Sequence, residues 1–75
     1  MFQKENGMQK QVYDASGKHA GTFDGEYVYN LSGQIILRVD EDEVYNMEMP
    51  CKYVGVFEGE QATDLSGSIL FRLED

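Results

Sequence analysis

The segment His19-Ala-Gly-Thr-Phe-Asp-Gly-Glu-Tyr-Val-Tyr-Asn-Leu-Ser-Gly-Gln-Ile-Ile-Leu-Arg-Val-Asp-Glu41 is echoed 34 residues later by Tyr53-Val-Gly-Val-Phe-Glu-Gly-Glu-Gln-Ala-Thr-Asp-Leu-Ser-Gly-Ser-Ile-Leu-Phe-Arg-Leu-Glu-Asp75. Nine of the 23 positions are identical with no gap, among them Gly21/Gly55, Phe23/Phe57, Gly33/Gly67 and Arg38/Arg72. Self-similarity at a fixed period is the mark of a repeat architecture. Each half divides again. Units open at Val12-Tyr13-Asp14-Ala-Ser-Gly17, Val28-Tyr29-Asn30-Leu-Ser-Gly33, Val44-Tyr45-Asn46 and Ala62-Thr63-Asp64-Leu-Ser-Gly67, their second residues 16, 16 and 18 apart.

The unit predicts a β-hairpin. An Asp or Asn caps a type I turn, and the Gly that follows adopts positive φ without a Cβ clash. The Val-Tyr before the turn suits a strand, and the residues after it alternate. Asp24-Gly25 and Glu58-Gly59 read as tight connections between units, and so does Asn6-Gly7. The third unit lacks the turn Gly and is two residues longer through Met47 to Lys52, which predicts a wider loop. Alternation sets Ile35, Leu37 and Val39 on one face, with Ile69, Phe71 and Leu73 at the equivalent places. His19, Gly21, Phe23 and Tyr53, Gly55, Phe57 fill these places in the other two units. The middle position thus runs Gly21, Leu37, Gly55, Phe71. Large side chains entering the space left by glycines would satisfy dense packing about a common axis.

The expected fold is therefore all-β: four tandem antiparallel β-hairpins around a pseudo-fourfold axis, in a small single domain. The four-hairpin repeat covers 12–75, and 1–11 reads as an extra strand or tail. A Val-Tyr-Asp-x-x-Gly unit followed by a Gly-containing strand, given four times, resembles the bacterial four-fold beta-flower proteins. The resemblance rests on Val12, Tyr13, Asp14, Gly17 and Gly21, then Val28, Tyr29, Asn30 and Gly33, then Val44, Tyr45, Asn46 and Gly55, then Asp64 and Gly67. The chain departs from that pattern at the missing turn Gly of unit three, at Thr63, and at Leu37 and Phe71. The resemblance implies a petal-like arrangement and carries no activity. Tyr53 to Gly59 also looks like part of a MORN repeat, and Tyr13 to Lys18 like part of a YD-type shell repeat, but the longer periods of those families do not fit the spacing.

The chain has 75 residues with 14 Asp plus Glu against six Lys plus Arg, a net charge of −8. Such a length predicts one domain and leaves little material for an enzyme cleft. The longest apolar runs, Ile35-Ile36-Leu37 and Ile69-Leu70-Phe71, fall far short of the roughly 18 residues of a spanning helix. A single cysteine cannot form an internal disulfide, and Met1 to Gly7 lacks a secretory h-region, so the chain reads as cytoplasmic.

Residue types that carry chemistry are sparse. His19 has no Cys or His at ligand spacing and reads as a packed or hydrogen-bonded residue on the inner or rim face. Cys51 follows Pro50 in the irregular loop, and His19, its one available base, belongs to another unit. Ser16, Ser32 and Ser66 recur as turn residues. Asp40-Glu41-Asp42-Glu43 lacks the Gly turn and the twelfth-place Glu of an EF-hand loop, so it reads as a solvated turn. No catalytic, cofactor-binding or metal residues are assigned, and no cofactor is expected.

Tyr13, Tyr29 and Tyr45 at equivalent places, and Arg38 and Arg72 at another, form the candidate partner or ligand surface. Tyrosines so placed either ring a ligand or pack neighbouring hairpins; the arginines either pair with carboxylates or build an anion site together. Six basic residues do not make a basic stripe, so neither nucleic acid nor a membrane is expected as a partner. The first functional expectation is a non-enzymatic module that binds another protein or itself, since eight short strands have edges to cover. An acidic inhibitor, of the kind a phage encodes, that imitates nucleic acid comes second. A small-molecule sequestering protein with its ligand on the axis comes third.

Overall fold

In a computed structural model, residues 9–74 are described. Eight strands follow one another: β1 (Lys10–Tyr13), β2 (His19–Phe23), β3 (Tyr27–Asn30), β4 (Ile35–Asp40), β5 (Glu43–Asn46), β6 (Tyr53–Glu58), β7 (Gln61–Asp64) and β8 (Ile69–Glu74). Every strand pairs antiparallel with its chain neighbours, and β8 pairs with β1 to close a barrel. The expected all-β arrangement of four tandem hairpins about a pseudo-fourfold axis is therefore present. Of the stretch expected as an extra strand or tail, Lys10 and Gln11 belong to β1; residues 1–8, with the Asn6-Gly7 connection, lie outside the described residues.

Closure removes one expectation. The pairs Gln11↔Glu74, Val12↔Leu73 and Tyr13↔Arg72 use the hydrogen-bonding groups that an open hairpin array would leave at its two edges. Full closure abolishes edges, so nothing along the barrel wall calls for a strand from another chain.

The turns follow the sequence closely. The Gly17 N–H donates to the Asp14 carbonyl at 2.9 Å, and Gly33 to Asn30 and Gly67 to Asp64 do the same at 3.0 Å. These glycines have φ of 88°, 85° and 97°, a region where an L side chain meets its own backbone. The third unit, without the Gly, makes the wider loop anticipated: Asn46 Oδ1 accepts from the N–H of Glu48 and of Lys52. At the opposite ends of the strands, Gly25 and Gly59 take positive φ, and Glu41 takes φ 59° at the corresponding place.

A feature that alternation concealed is a bulge in every hairpin. Val12 pairs with Gly21 and Tyr13 with His19, so Ala20 is the extra residue. Ile36, Val54 and Leu70 are its counterparts in the other three hairpins. A bulge sets two consecutive residues against one and shifts the phase of the side chains. Leu37, Val39, Phe71 and Leu73 accordingly face inward, as expected. His19, Ile35, Tyr53 and Ile69 do not: they pair with Tyr13, Tyr29, Tyr45 and Thr63 on the outer face. For His19, expected on the inner or rim face, the inner alternative is corrected in the same way: the residue is exposed at the start of β2, beside the β1–β2 turn.

Inside lie Val12, Phe23, Val28, Val39, Val44, Ala62, Phe71 and Leu73, with Leu37, Phe57 and the bulge residues Ala20, Val54 and Leu70 packed against them. Phe23 and Phe57, from opposite walls, approach to 5.8 Å between ring centroids, and Phe57 and Phe71 to 6.1 Å. The small-large alternation is real, but the two glycines serve another purpose. A Cβ on Gly21 would run into the Tyr29 carbonyl oxygen, and one on Gly55 into that of Thr63. The space beside Gly55 is taken by Leu70, whose Cδ1 is 2.8 Å from where that Cβ would stand, not by Leu37 or Phe71.

Two outcomes test this account in urea unfolding. Gly21→Ala must displace a neighbouring backbone and is expected to cost about 3 kcal/mol, whereas Gly17→Ala, in open space at positive φ, should cost roughly 1 kcal/mol; equal losses would contradict the close approach at Gly21. Glu41→Gly relieves a left-handed non-glycine residue and should raise stability by about 0.5–1 kcal/mol.

Candidate functional site

An up-and-down barrel sorts its connections by end. The turns β1–β2, β3–β4, β5–β6 and β7–β8 form one rim, and β2–β3, β4–β5 and β6–β7 lie at the other, where β1 starts and β8 stops. The two ends differ chemically.

The second end is acidic. Asp24, Glu26, Asp40, Glu41, Asp42, Glu43, Glu58, Glu60 and Glu74 all stand there by strand position, nine of the twelve carboxylates among the described residues. Lys10 Nζ meets Glu60 Oε2 at 3.0 Å, and Arg38 on the wall meets Asp40 at 3.7 Å. Asp24 is fixed further: its Oδ1 accepts the N–H of Glu26 and of Tyr27, and its Oδ2 the Tyr29 hydroxyl at 2.8 Å. Burial pushes the Asp24 carboxyl up, but these hydrogen bonds together outweigh it and hold the group below its ordinary value. Accepting by Asp24 in turn raises the Tyr29 hydroxyl, and accepting by Glu43 raises that of Tyr45.

The first rim is built on the Asx turns and tipped with apolar residues. The residue after each capping Asx is Ala15, Leu31, Met47 or Leu65, and all four are exposed. Leu31 is 68% exposed, Leu65 63% and Met49 95%; Ile35, Ile36 and Tyr53 at the adjoining strand starts are exposed too. Each turn is tied by the side chain of its Asx residue. Asp14 Oδ1 accepts the N–H of Ser16 and of Lys18 and the Ser16 hydroxyl at 2.7 Å, and Asp64 repeats the set with Ser66 and Ser68. The three serines thus serve the turns, Ser32 through its N–H to Asn30. The serine hydroxyls first, then the backbone donors, keep the Asp14 and Asp64 carboxyls below 3.8. Lys52 pairs with Glu48 at 3.7 Å on the same rim.

The five residues expected to form a partner surface divide into separate groups on the outer wall. The Arg38 guanidinium carbon lies 5.0 Å from the Tyr45 ring centroid, and Tyr45 packs on Tyr53 at 5.9 Å. Arg72 pairs in register with Tyr13, and Tyr13 packs on His19 at 5.4 Å. These two rows, related by the pseudo-twofold axis, stand on opposite walls, because β4 and β8 are four strands apart in a ring of eight. An anion site built jointly from Arg38 and Arg72 is therefore ruled out by geometry. Tyr29 belongs to neither row, its hydroxyl donating to Asp24, and the three tyrosines do not form one ring.

His19 Nε2 is 2.8 Å from Gln11 Oε1. Cys51 is exposed in the β5–β6 loop, across the rim from β2 and its His19. Among the described residues no three His, Cys, Asp or Glu side chains gather to hold a metal ion. The rim of exposed Leu and Met was open to discovery in the sequence: a bulky apolar residue follows the capping Asx in three of four units, where a solvated turn has no need of one. No family model, curated protein or solved structure matches this chain.

The Asx turns bear directly on acid stability. The Asp14 and Asp64 carboxyls have lower folded than unfolded values, so their contribution is present above about pH 4 and is lost as pH falls through the folded value. Asn30 and Asn46 make the same caps without titrating. Asp14→Asn with Asp64→Asn is therefore expected to keep the fold and flatten the fall of the thermal midpoint between about pH 5 and 2; an unchanged slope would remove these turns as its source.

Proposed function

We propose that this protein is a non-enzymatic binding module that holds a protein partner, or another copy of itself, on the apolar rim of its Asx turns. The observation that carries the reading is the separation of Leu31, Met49 and Leu65, exposed at one end, from most of the described carboxylates at the other. These side chains stand on separate turns of one rim, and the gathering of large exposed apolar groups at one end supports an interaction surface there. Catalysis receives no comparable support: the histidine is engaged by Gln11 and the thiol stands across the rim. A ligand on the axis would need the space occupied by Phe23, Phe57 and Phe71. The hairpin arrangement supports, as part of the same proposal, kinship with the four-fold beta-flower proteins.

The second reading, an acidic inhibitor of a nucleic-acid enzyme, is favoured by one fact: the carboxylates are gathered at one end and not scattered. Immobilised wild-type protein, the rim variant Leu31→Ser with Leu65→Ser, and the acidic-end variant Asp42→Asn with Glu43→Gln separate the two. Proteins retained by the wild type and the acidic-end variant but lost by the rim variant are the expected result. Retention that survives the rim variant, fails with the acidic-end variant and is released between about 50 and 200 mM salt would transfer the function to the acidic end.

A further inference from the structure

Resting on the binding reading above, we infer that the occupant of the rim is a second copy of this chain, docked end to end.

Charge selects that partner geometry. Of the end-to-end approaches between two copies, those that bring an acidic end forward set carboxylates against each other or against apolar tips, and burying an unpaired charge under Leu31 and Leu65 is costly. The rim carries far less net charge, with Asp14, Glu48 and Asp64 set against Lys18 and Lys52; Asp14 and Asp64 are hydrogen-bonded by their own turns, and Lys52 is paired with Glu48. Rim-to-rim contact also sends the two acidic poles outward. Walls of up to six residues stand about 15 Å tall once the strands tilt, so the poles lie about 30 Å apart, several Debye lengths of about 8 Å.

Symmetry makes the contact self-complementary. The 34-residue repeat sets Leu31 and Leu65 at equivalent places on opposite sides of the rim. A twofold axis lying in the plane of the rim, through the β1–β2 and β5–β6 turns, brings Leu31 against Leu65 of the second copy, and Leu65 against its Leu31. The longer β5–β6 loop then meets itself, with Met49 as an adaptable apolar filler. Isologous contacts of this kind close after two copies and do not propagate. A rim of eight strands covers roughly 500 Å², and two such faces bury about 1,000 Å², the lower limit of a specific interface. The dimer is accordingly expected to dissociate in the micromolar range.

Sedimentation velocity of the full chain from about 1 to 500 μM, with vesicle flotation beside it, tests the inference. The weight-average mass should rise from the 8.5 kDa of one chain toward twice that value. It should stay at one chain for Leu31→Glu with Leu65→Glu, whose thermal midpoint should match the wild type because both positions are exposed turn tips. Met49→Ser, a milder change, should weaken association several-fold. Concentration-dependent amide shifts should gather at residues 15, 31, 47–49 and 65. A wild type that remains single at 500 μM overturns the second-copy proposal while leaving a different protein partner open to the capture experiment. Association that survives the double Glu variant, or shifts centred on 40–43, overturns it as well. Binding of the single chain to phosphatidylcholine vesicles, lost in the Glu variant, would assign the rim to a lipid surface instead.

Discussion

The pairing of β8 with β1 is the constraint on which the other features depend. The described residues form strands only, so an open sheet would have no second layer to cover its apolar face and would present two unpaired backbones to solvent. Closing the ring satisfies those groups and encloses the core, but it demands tight curvature. The bulges at Ala20, Ile36, Val54 and Leu70 supply the bend once per hairpin, and Gly21 and Gly55 give way where a neighbouring carbonyl comes too close for a Cβ. The bulge residues gain a second use, since Ala20, Val54 and Leu70 turn onto the core and help to cap it. Curvature and core packing are therefore solved by the same positions.

Much of the fold could be read from the repeat. Asx-x-x-Gly turns, their left-handed glycines and the wider third loop depend on backbone requirements that are local in sequence, and local requirements leave local signatures. What escaped reading depended on contacts between strands. A one-residue bulge changes which face His19, Ile35, Tyr53 and Ile69 occupy, yet Ile35-Ile36-Leu37 reads as apolar whichever residue is extra. The reason for Gly21 lies in Tyr29, eight residues away, and not in the side chains that share its layer. Closure itself has no motif: whether β8 meets β1 is decided by the number and tilt of the strands.

The candidate surface shows the same division. Arg38 and Arg72 looked like one site because they hold equivalent places in the repeat, but a ring sends equivalent places half a turn apart to opposite walls. Repetition in the chain becomes separation in space. The residues that do share an end, Ala15, Leu31, Met47 and Leu65, stand there because alternate connections must fall at the same end of the barrel. Their common placement follows from topology joined to a turn motif, and neither alone points to it.

The near-equivalence of the two halves has an implication for what the covalent link between them contributes. Strands β1 to β4 form a continuous curved half whose outer edges, on β1 and β4, match the edges that β5 and β8 offer in return. A peptide with only the first two hairpins would carry both complementary edges at once, so two copies could close the same ring without any covalent link. The covalent link between the halves, marked by the repeats Gly21/Gly55 and Arg38/Arg72, frees each half to differ from the other, as the longer β5–β6 loop does from the β1–β2 turn.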